Sequence, residues 1–440
     1  MTQSYQTTKL ISITSIIFKI FTGTLSTPTL MNFSGLVLAT ICITGIASVR
    51  SFYNWFLRLY YGKSLNTYYH TLSVIGEKLG ILELKVLQSL LEIDRFQELS
   101  SQYPVLFLID DTLQPKYGKK FAHVKVLHDH ALHTGKAYVN AHDFVTLGIA
   151  FPIQSGKQVE YIMFPFSMRM YIPGGKSKLK LAEEMATAAL MAFKPSQHII
   201  VECDSWYPKK ELLDFVKLHQ NVDFIANIRR KDTALFELPE KTGKRGRPRK
   251  YGKKFSCTDI AFSDSDGTYE VGMTYCLTNL FSMPVYVVRT KKSDQEGGRL
   301  FISTIDSEKL PAIKPETQGL WCILEYYEQR WKIETYFYEI KTFWSFGSYQ
   351  VRSYEEIERM NFLINFTYGL VKILPLIDSR FSALIPQGTS ARKNSLSRVI
   401  LEEQIFHTLG AESQNAKNKR PNIRVLFRMP LKKRIENYFL

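Results

Sequence analysis

One short stretch of the chain carries four side chains that could act together on a phosphate ester. Tyr327, Arg330, Glu334 and Lys341 follow the spacing Y-x2-R-x3-E-x6-K. At about 100° per residue, an α-helix would bring all four within an arc of roughly 60°. A carboxylate can bind a divalent cation, and Arg and Lys beside it can neutralise phosphate oxygens. The stretch therefore predicts a helix that presents one carboxylate between two cations, with an amphipathic surface helix as the plainer alternative.

Two upstream segments supply further carboxylates. The apolar run 105–109 ends in Asp110-Asp111-Thr112, and the run 198–203 ends in Asp204, which a helical pattern follows. Short β-rich runs bounded by polar turns predict buried strands, and their alternation with helices indicates an α/β layer architecture. Ligand sites in such folds gather at the carboxyl ends of strands. Together with the helical glutamate, these aspartates would offer hard oxygen donors that suit a pair of Mg²⁺ or Mn²⁺ ions.

The order Asp, Asp and then Glu within this spacing resembles the DDE transposases of bacterial insertion sequences, in the insertion-sequence-four-like group marked by the YREK signature. Three further blocks carry the likeness: LFLIDDTLQPKYGKK resembles the first block of the family, HIIVECDSWYPKKELL the second, and FIANIRRK the next core strand. The similarity spans roughly residues 100–370.

The resemblance implies a metal-dependent DNA transposase that cleaves transposon ends and transfers the freed 3′-OH into target DNA. The metal ligands would be Asp204, Glu334 and one of the adjacent residues Asp110 and Asp111. A D-x-T pattern favours Asp110 as the first aspartate, whereas a D-T pair favours Asp111. Because neighbouring residues of a strand point to opposite faces, only one of them should reach the metals, and we expect Asp110.

The same resemblance assigns Tyr327, Arg330 and Lys341 to contacts with the transposon end. The partner would be double-stranded DNA, as terminal inverted repeats and as target, bound by a homodimer that pairs the two ends, without a membrane, in the bacterial cytoplasm at the nucleoid. Some relatives cleave through a DNA hairpin and carry a Trp on the strand before the YREK helix. Leu300 falls at that place in this chain, so hairpin chemistry does not follow from the likeness.

Composition agrees with a polyanionic partner. The chain has 57 Lys and Arg against 41 Asp and Glu, a formal charge of +16, and a pI near 9.4. Such a surplus favours DNA binding. Its five cysteines are scattered without a C-x-x-C pair, which favours a reducing compartment and argues against a thiolate zinc site.

The most basic segment, KTGKRGRPRKYGKK at residues 241–254, contains no acidic residue. Within it, Arg247-Pro248-Arg249 resembles the core of an AT-hook, an extended element that lies in a narrow A·T minor groove. A solvated charge run and contact with the DNA backbone alone are the other interpretations.

A histidine-rich segment supports a rival interpretation. It contains five histidines and two aspartates: His123, His128, Asp129, His130, His133, His142 and Asp143. Several His could bind zinc, as in a His/Asp metallohydrolase unrelated to DNA. The segment also fits two strands and a turn, whose alternate side chains face opposite sides, and we favour a polar or DNA-facing hairpin. A third function class is a degenerate DDE relative that binds DNA without cutting it.

The predicted fold is α/β, with a ribonuclease-H-like core in which helices flank a mixed sheet. Helix-like residues 1–95 would form an N-terminal domain that binds DNA ends or caps the core. The core would comprise residues 96–228 and 317–375, interrupted by a β-rich insertion at 229–316, with a basic C-terminal region at 376–440. Residues 20–49 lack any charge, but their continuous apolar part, 36–46, is too short for a membrane span of about 20 residues and predicts a buried helix.

Overall fold

The computed structural model describes residues 9–60, 62–118, 120–128, 138–240, 249–294 and 297–415, with a mixed β-sheet flanked by helices. The helices of these ranges are α1 (Lys9–Phe21), α2 (Thr27–Cys42), α3 (Val49–Phe52), α4 (Arg58–Tyr60), α5 (Leu65–Glu77), α6 (Leu79–Leu91), α7 (Asp94–Gln97), α8 (Lys178–Leu190), α9 (Lys210–Leu218), α10 (Trp321–Glu328), α11 (Trp331–Phe343), α12 (Tyr354–Ile377) and α13 (Thr389–Asn415). A π-helical turn, Tyr53–Leu57, joins α3 to α4.

The strands are β1 (Val105–Pro115), β2 (Lys125–His128), β3 (Tyr138–Ser155), β4 (Gln158–Tyr171), β5 (Ile199–Cys203), β6 (Val222–Ile228), β7 (Leu235–Phe236), β8 (Lys254–Phe255), β9 (Asp264–Ser265), β10 (Tyr269–Thr278), β11 (Val285–Lys292) and β12 (Gly298–Ser303). They form one sheet in the order β2-β3-β1-β5-β6-β12-β11-β10-β7-β8, with β4 on β3 and β9 on β10.

The centre of the sheet is parallel. β1 pairs with β5, and β5 pairs with β6, both in parallel register, while β3 runs antiparallel on the other side of β1. The first five residues of β1 and all of β5 are buried, as apolar runs covered on both faces should be. In the β1–β5 register Ile109 lies opposite Cys203, so Asp110 and Asp204 are the next residues along two adjacent chains. The predicted strands therefore bring these two aspartates to one edge.

The strands of the predicted insertion continue this sheet. β12 pairs antiparallel with β6, and β11 and β10 follow outward. The fold is thus the predicted α/β, ribonuclease-H-like arrangement of a large mixed sheet between helices. The domain boundaries proposed from the sequence stay a prediction.

Helices cover the two faces of the sheet differently. The side chain of Lys178, the first residue of α8, contacts Asp111 on one face, whereas Arg330, immediately before α11, contacts Asp110 on the other. These opposite contacts follow from the alternation of side chains along β1. The two adjacent aspartates therefore belong to separate environments.

α12 is a long, mostly buried helix that packs against β4. A capping box of Ser353 and Glu356 begins it, and 17 of its residues are buried. Among the described residues it is the one helix long and apolar enough to cross a membrane, and 83% of its apolar window is buried inside the protein, as in a core helix. α2 is likewise buried, but it begins at Thr27 and ends at Cys42, so the predicted apolar run 36–46 extends beyond the helix and Ile46 is exposed.

Two other local predictions need correction. β1 does not end before the aspartates but continues to Pro115, because β3 pairs with it as far as Ala141. The YREK stretch is also not one regular helix. A tight turn at Gln329 and Arg330, with bonds from Lys332 N–H to the Gln329 carbonyl and from Ile333 N–H to the Arg330 carbonyl, separates α10 from α11.

Candidate active site

Arg330 joins two of the predicted metal ligands. Its guanidinium donates from Nη1 to Asp110 Oδ2 at 3.1 Å and from Nη2 to Glu334 Oε1 at 2.6 Å. Only 8% of the Arg330 side chain is exposed, against 35% of Glu334. The strand aspartate and the helical glutamate thus lie on either side of one buried guanidinium.

Asp204 lies at the same edge of the sheet, in the loop that follows β5. Its Oδ1 accepts a hydrogen bond of 2.9 Å from the backbone N–H of Trp206, which orients the carboxylate. Burial raises the pKa of Asp204, opposed by that N–H and reinforced by the charge of Asp111. This position follows from the sequence, since Asp204 directly follows the buried strand β5.

The electrostatics of Asp110 reflect crowded carboxylates. Burial, reinforced by the charges of Asp204 and Asp111, raises the pKa of Asp110 to about 8, even though Arg330 lies against it. Carboxylates that repel one another at a strand end are a common basis of cation binding, because a cation relieves the repulsion.

Asp111 occupies a separate polar cluster on the α8 face. Its carboxylate accepts from Lys178 Nζ at 2.7 Å and from the Tyr207 hydroxyl at 2.8 Å. Lys178 also pairs with Asp143 at 2.5 Å, and burial followed by the charge of Asp111 raises the pKa of Asp143 to about 7. Asp111 is therefore held by a lysine and a tyrosine, whereas Asp110 contacts Arg330.

Sequence reasoning did not assign Lys178 and Tyr207 to the site. The signals were weak: Tyr207 stands three residues after Asp204, and Lys178 begins a helix that resembles any amphipathic helix. Neither position reveals from spacing alone that it would face Asp111.

The other two residues of the signature line the same region. The Tyr327 ring packs edge-on against Phe301 at 4.9 Å and lies 5.5 Å from the Arg330 guanidinium carbon, and burial raises the pKa of Tyr327 to about 12. Lys341 is exposed, and its Nζ donates to the Leu113 carbonyl at 2.9 Å. The signature stretch 327–341 thus runs beside β1 from Asp110 towards the carboxyl end of that strand.

A buried glutamate lies beneath the site. Glu202, on β5, is fully buried, and within the described part of the chain neither of its carboxylate oxygens has a hydrogen-bond partner. The Arg330 Nε is a second buried atom without a partner among the described residues. The sequence signal for Glu202 was a single charged residue inside an apolar strand.

The donor set fits the divalent metals that DDE endonucleases typically use. Asp110, Asp204 and Glu334 supply hard carboxylate oxygens, and the first two repel each other. Among the described residues, no three His, Cys, Asp or Glu side chains converge closely enough to hold an ion. Arg330 lies between Asp110 and Glu334 instead. The three carboxylates have suitable chemistry for a divalent ion, and the Arg330 guanidinium lies between two of them.

The histidine segment is only partly described, because Asp129, His130 and His133 lie outside the described residues. Within the described part, His142 is 1% exposed and uses both ring nitrogens: Nδ1 lies 2.5 Å from the Tyr349 hydroxyl and Nε2 lies 2.8 Å from the Ala122 carbonyl. Burial lowers the pKa of His142 to about 4. These contacts make His142 a structural core residue.

The basic elements are described only in part. Arg249 is exposed, whereas Arg247 and the C-terminal basic tail lie outside the described residues. Beyond Arg249 the chain returns to the sheet, where Tyr251 stacks on Phe236 at 4.4 Å. The predicted hook therefore stays a prediction.

Carboxylates at the carboxyl edge of a central parallel strand pair, with a glutamate from a helix on one face, lie where α/β folds place their ligand sites. Residues 41–268 match the family model described as DDE superfamily endonuclease, which is more than half of the 440-residue chain, and the chain belongs to this family. The match includes the three aspartates and ends before Tyr327. Comparison with curated proteins found no match.

Family membership decides between the function classes at a coarse level. A DDE superfamily endonuclease is a nuclease that acts on DNA, as predicted, and the metallohydrolase unrelated to DNA is set aside.

Proposed function

We propose that the protein is a transposase of the YREK group, which cleaves the ends of an insertion sequence and joins the freed 3′-OH to target DNA. The observation that carries the proposal is the contact of Arg330 with both Asp110 and Glu334. Arg330 and Glu334 are two of the four signature residues. The contact of Arg330 with a β1 aspartate 220 residues away in sequence is what a signature built around a DDE site requires.

In this proposal Asp110, Asp204 and Glu334 hold two Mg²⁺ or Mn²⁺ ions. Bound there, the ions would supply activation of the attacking water, and later of the 3′-OH, together with stabilisation of the leaving oxygen. Asp110 is the first ligand rather than Asp111, because Asp110 faces the helix of Glu334 and Asp111 is engaged by Lys178 and Tyr207.

The remaining signature residues address the DNA. Arg330 and Lys341 neutralise phosphate oxygens near the scissile bond, and Tyr327 supplies a stacking or hydrogen-bonding surface. The N-terminal helices would contact the transposon ends, and those from α3 onward fall within the family range, which begins at residue 41.

The wider interface is basic. The segment that contains Arg247 and Arg249 binds the phosphate backbone of the DNA duplex. Two copies of the chain pair the terminal inverted repeats. The site of action is the bacterial nucleoid in the cytoplasm.

The test is a plasmid cleavage assay. Supercoiled plasmids carry candidate terminal inverted repeats taken from the DNA that flanks the coding sequence, and matched plasmids carry scrambled repeats. Nicks or double-strand breaks at the repeat ends, dependent on Mg²⁺ or Mn²⁺, and insertion of the cleaved fragment into a second plasmid are expected. Cleavage without joining would reduce the protein to an endonuclease, and specific binding without cleavage would reveal a degenerate relative.

A further inference from the structure

Near the site, one acidic and one basic side chain have buried polar atoms without partners among the described residues. Within the described residues, both oxygens of Glu202 and the Nε of Arg330 make no hydrogen bond. Burying a carboxyl group without a partner is strongly unfavourable, and native proteins seldom retain one without reason. A partner that binds the group in another state of the protein is such a reason.

The sheet register places Glu202 on the Arg330 side. Glu202 lies opposite Leu108 on β1, and Leu108 precedes Asp110 by two residues, so Leu108 and Asp110 point to the same face. That is the face on which Arg330 contacts Asp110. Burial raises the pKa of Glu202, and the charges of Arg330 and Lys332 oppose that rise.

Arg330 competes with a cation for its two carboxylate partners. Its Nη atoms use Asp110 Oδ2 and Glu334 Oε1, two of the oxygens that the proposed function gives to the ions. A buried guanidinium that leaves them needs another acceptor, since an unpaired buried charge is costly.

We propose that Arg330 is a two-position side chain, which bridges Asp110 and Glu334 in the metal-free protein and, when divalent ions bind, turns to donate to Glu202 from one edge of its guanidinium while the other edge stays available to a phosphate oxygen of the DNA. Glu202 is then a positioning residue that acts through Arg330, and Arg330 is a built-in competitor of the metal. This inference rests on the proposed metal role of Asp110 and Glu334.

The experiment measures Mn²⁺ binding to the full chain without DNA, by electron paramagnetic resonance of the free ion. Arg330→Met removes the competitor and should bind Mn²⁺ about tenfold more tightly than the unmodified protein. Arg330→Lys keeps the charge but cannot bridge two carboxylates in the same way, and should also bind more tightly. If charge alone mattered, Arg330→Lys would match the unmodified protein, which would contradict the bridge.

Glu202 is tested by a double-mutant cycle. Glu202→Gln should weaken Mn²⁺ binding about tenfold in the unmodified background and have no effect in the Arg330→Met background. A loss of equal size in both backgrounds would mean that Glu202 acts by its own charge, and the proposal would be wrong. The effect of Glu202→Gln should persist in a Lys332→Met background. If it disappeared there, Lys332 rather than Arg330 would be the partner of Glu202. Glu202→Met provides a second variant if the amide disturbs folding.

Glu334→Gln separates the two levels of the proposal. If this variant loses Mn²⁺ binding while the effects at Glu202 and Arg330 are additive, the proposed metal site is supported and only the two-position arginine is contradicted. Unchanged Mn²⁺ binding by Glu334→Gln would remove the metal site itself. Trp331, whose ring lies 5.5 Å from the guanidinium carbon, offers an independent signal. Its emission should change on Mn²⁺ addition, and the change should be absent in Arg330→Met and in Trp331→Phe.

Discussion

Arg330 donates to Asp110 at 3.1 Å across 220 residues of chain, and this contact fixes which of two adjacent aspartates faces the signature helix. Asp111, one residue further along β1, turns to the opposite face and pairs with Lys178. The alternation of a β-strand thus divides two chemically identical neighbours between a candidate metal site and a structural ion cluster.

Exchange of the two aspartates for asparagine should separate these roles. Asp110→Asn should abolish cleavage because the amide cannot bind a cation as a carboxylate does. Asp111→Asn should retain cleavage to within about tenfold, because the amide oxygen can still accept from Tyr207. Single-turnover cleavage by both variants decides the matter, and the reverse pattern would make Asp111 the metal ligand.

Glu334→Gln should reduce cleavage by more than about 100-fold and leave binding to the transposon end largely intact. The amide keeps the size of the side chain and loses the charge that holds a metal. Glu328→Gln is the matched control, since Glu328 lies on α10 with 63% of its side chain exposed and contacts only Lys314 among the ion pairs of the described residues. Full cleavage by the Glu334 variant would remove it from the site.

Lys178→Met should lower the free energy of unfolding by about 3 kcal/mol, because it removes the cation that Asp111 and Asp143 share in a partly buried cluster. Lys180→Met, two residues along the same helix, removes an exposed lysine that pairs with Glu183 and should leave unfolding nearly unchanged. Urea unfolding curves for both variants provide the comparison. Similar curves for the two would show that the cluster does not stabilise the fold.

The elements that follow from hydrophobic pattern were predictable. β5, α9 and the first half of β1 lie where the sequence places them, because burial on one or both faces leaves a periodic signal. The extension of β1 to Pro115 was not predictable, since it depends on pairing with the distant strand β3. The contacts of Arg330 and Lys178 likewise depend on how helices cross the sheet, which no local spacing encodes.

His142 should make folding sensitive to acid. Because its pKa falls from 6.5 to about 4 in the folded protein, the unfolded chain binds more protons between these values, so stability decreases as pH falls through this window. The stability difference between the unmodified protein and His142→Gln should shrink by about 2 kcal/mol from pH 7 to pH 5. Urea unfolding at both pH values tests this, and added Zn²⁺ should not restore the difference. A zinc-dependent gain would favour a metal site at this histidine.

The basic segment with Arg247 and Arg249 and the signature cations Arg330 and Lys341 should have different roles on DNA. Neutralising Arg247 and Arg249 should weaken binding and flatten its salt dependence by about 0.9 in the log–log slope per lost phosphate contact. If the segment reads a minor groove, the loss should be larger on A·T-rich duplexes.

Changing Arg330 or Lys341 should impair cleavage more than binding, because Arg330 lies between Asp110 and Glu334 and Lys341 follows β1 beyond them. Affinity and single-turnover cleavage are measured for both pairs across a salt series, with Mn²⁺ held saturating so that any change in metal affinity at Arg330 does not enter. Changing Arg247 and Arg249 should reduce affinity without reducing the cleavage rate of bound DNA. Changing Arg330 or Lys341 should reduce the cleavage rate of bound DNA with little loss of affinity. Identical profiles would mean that the signature cations are ordinary backbone contacts, and their assignment to the scissile phosphate would then be wrong.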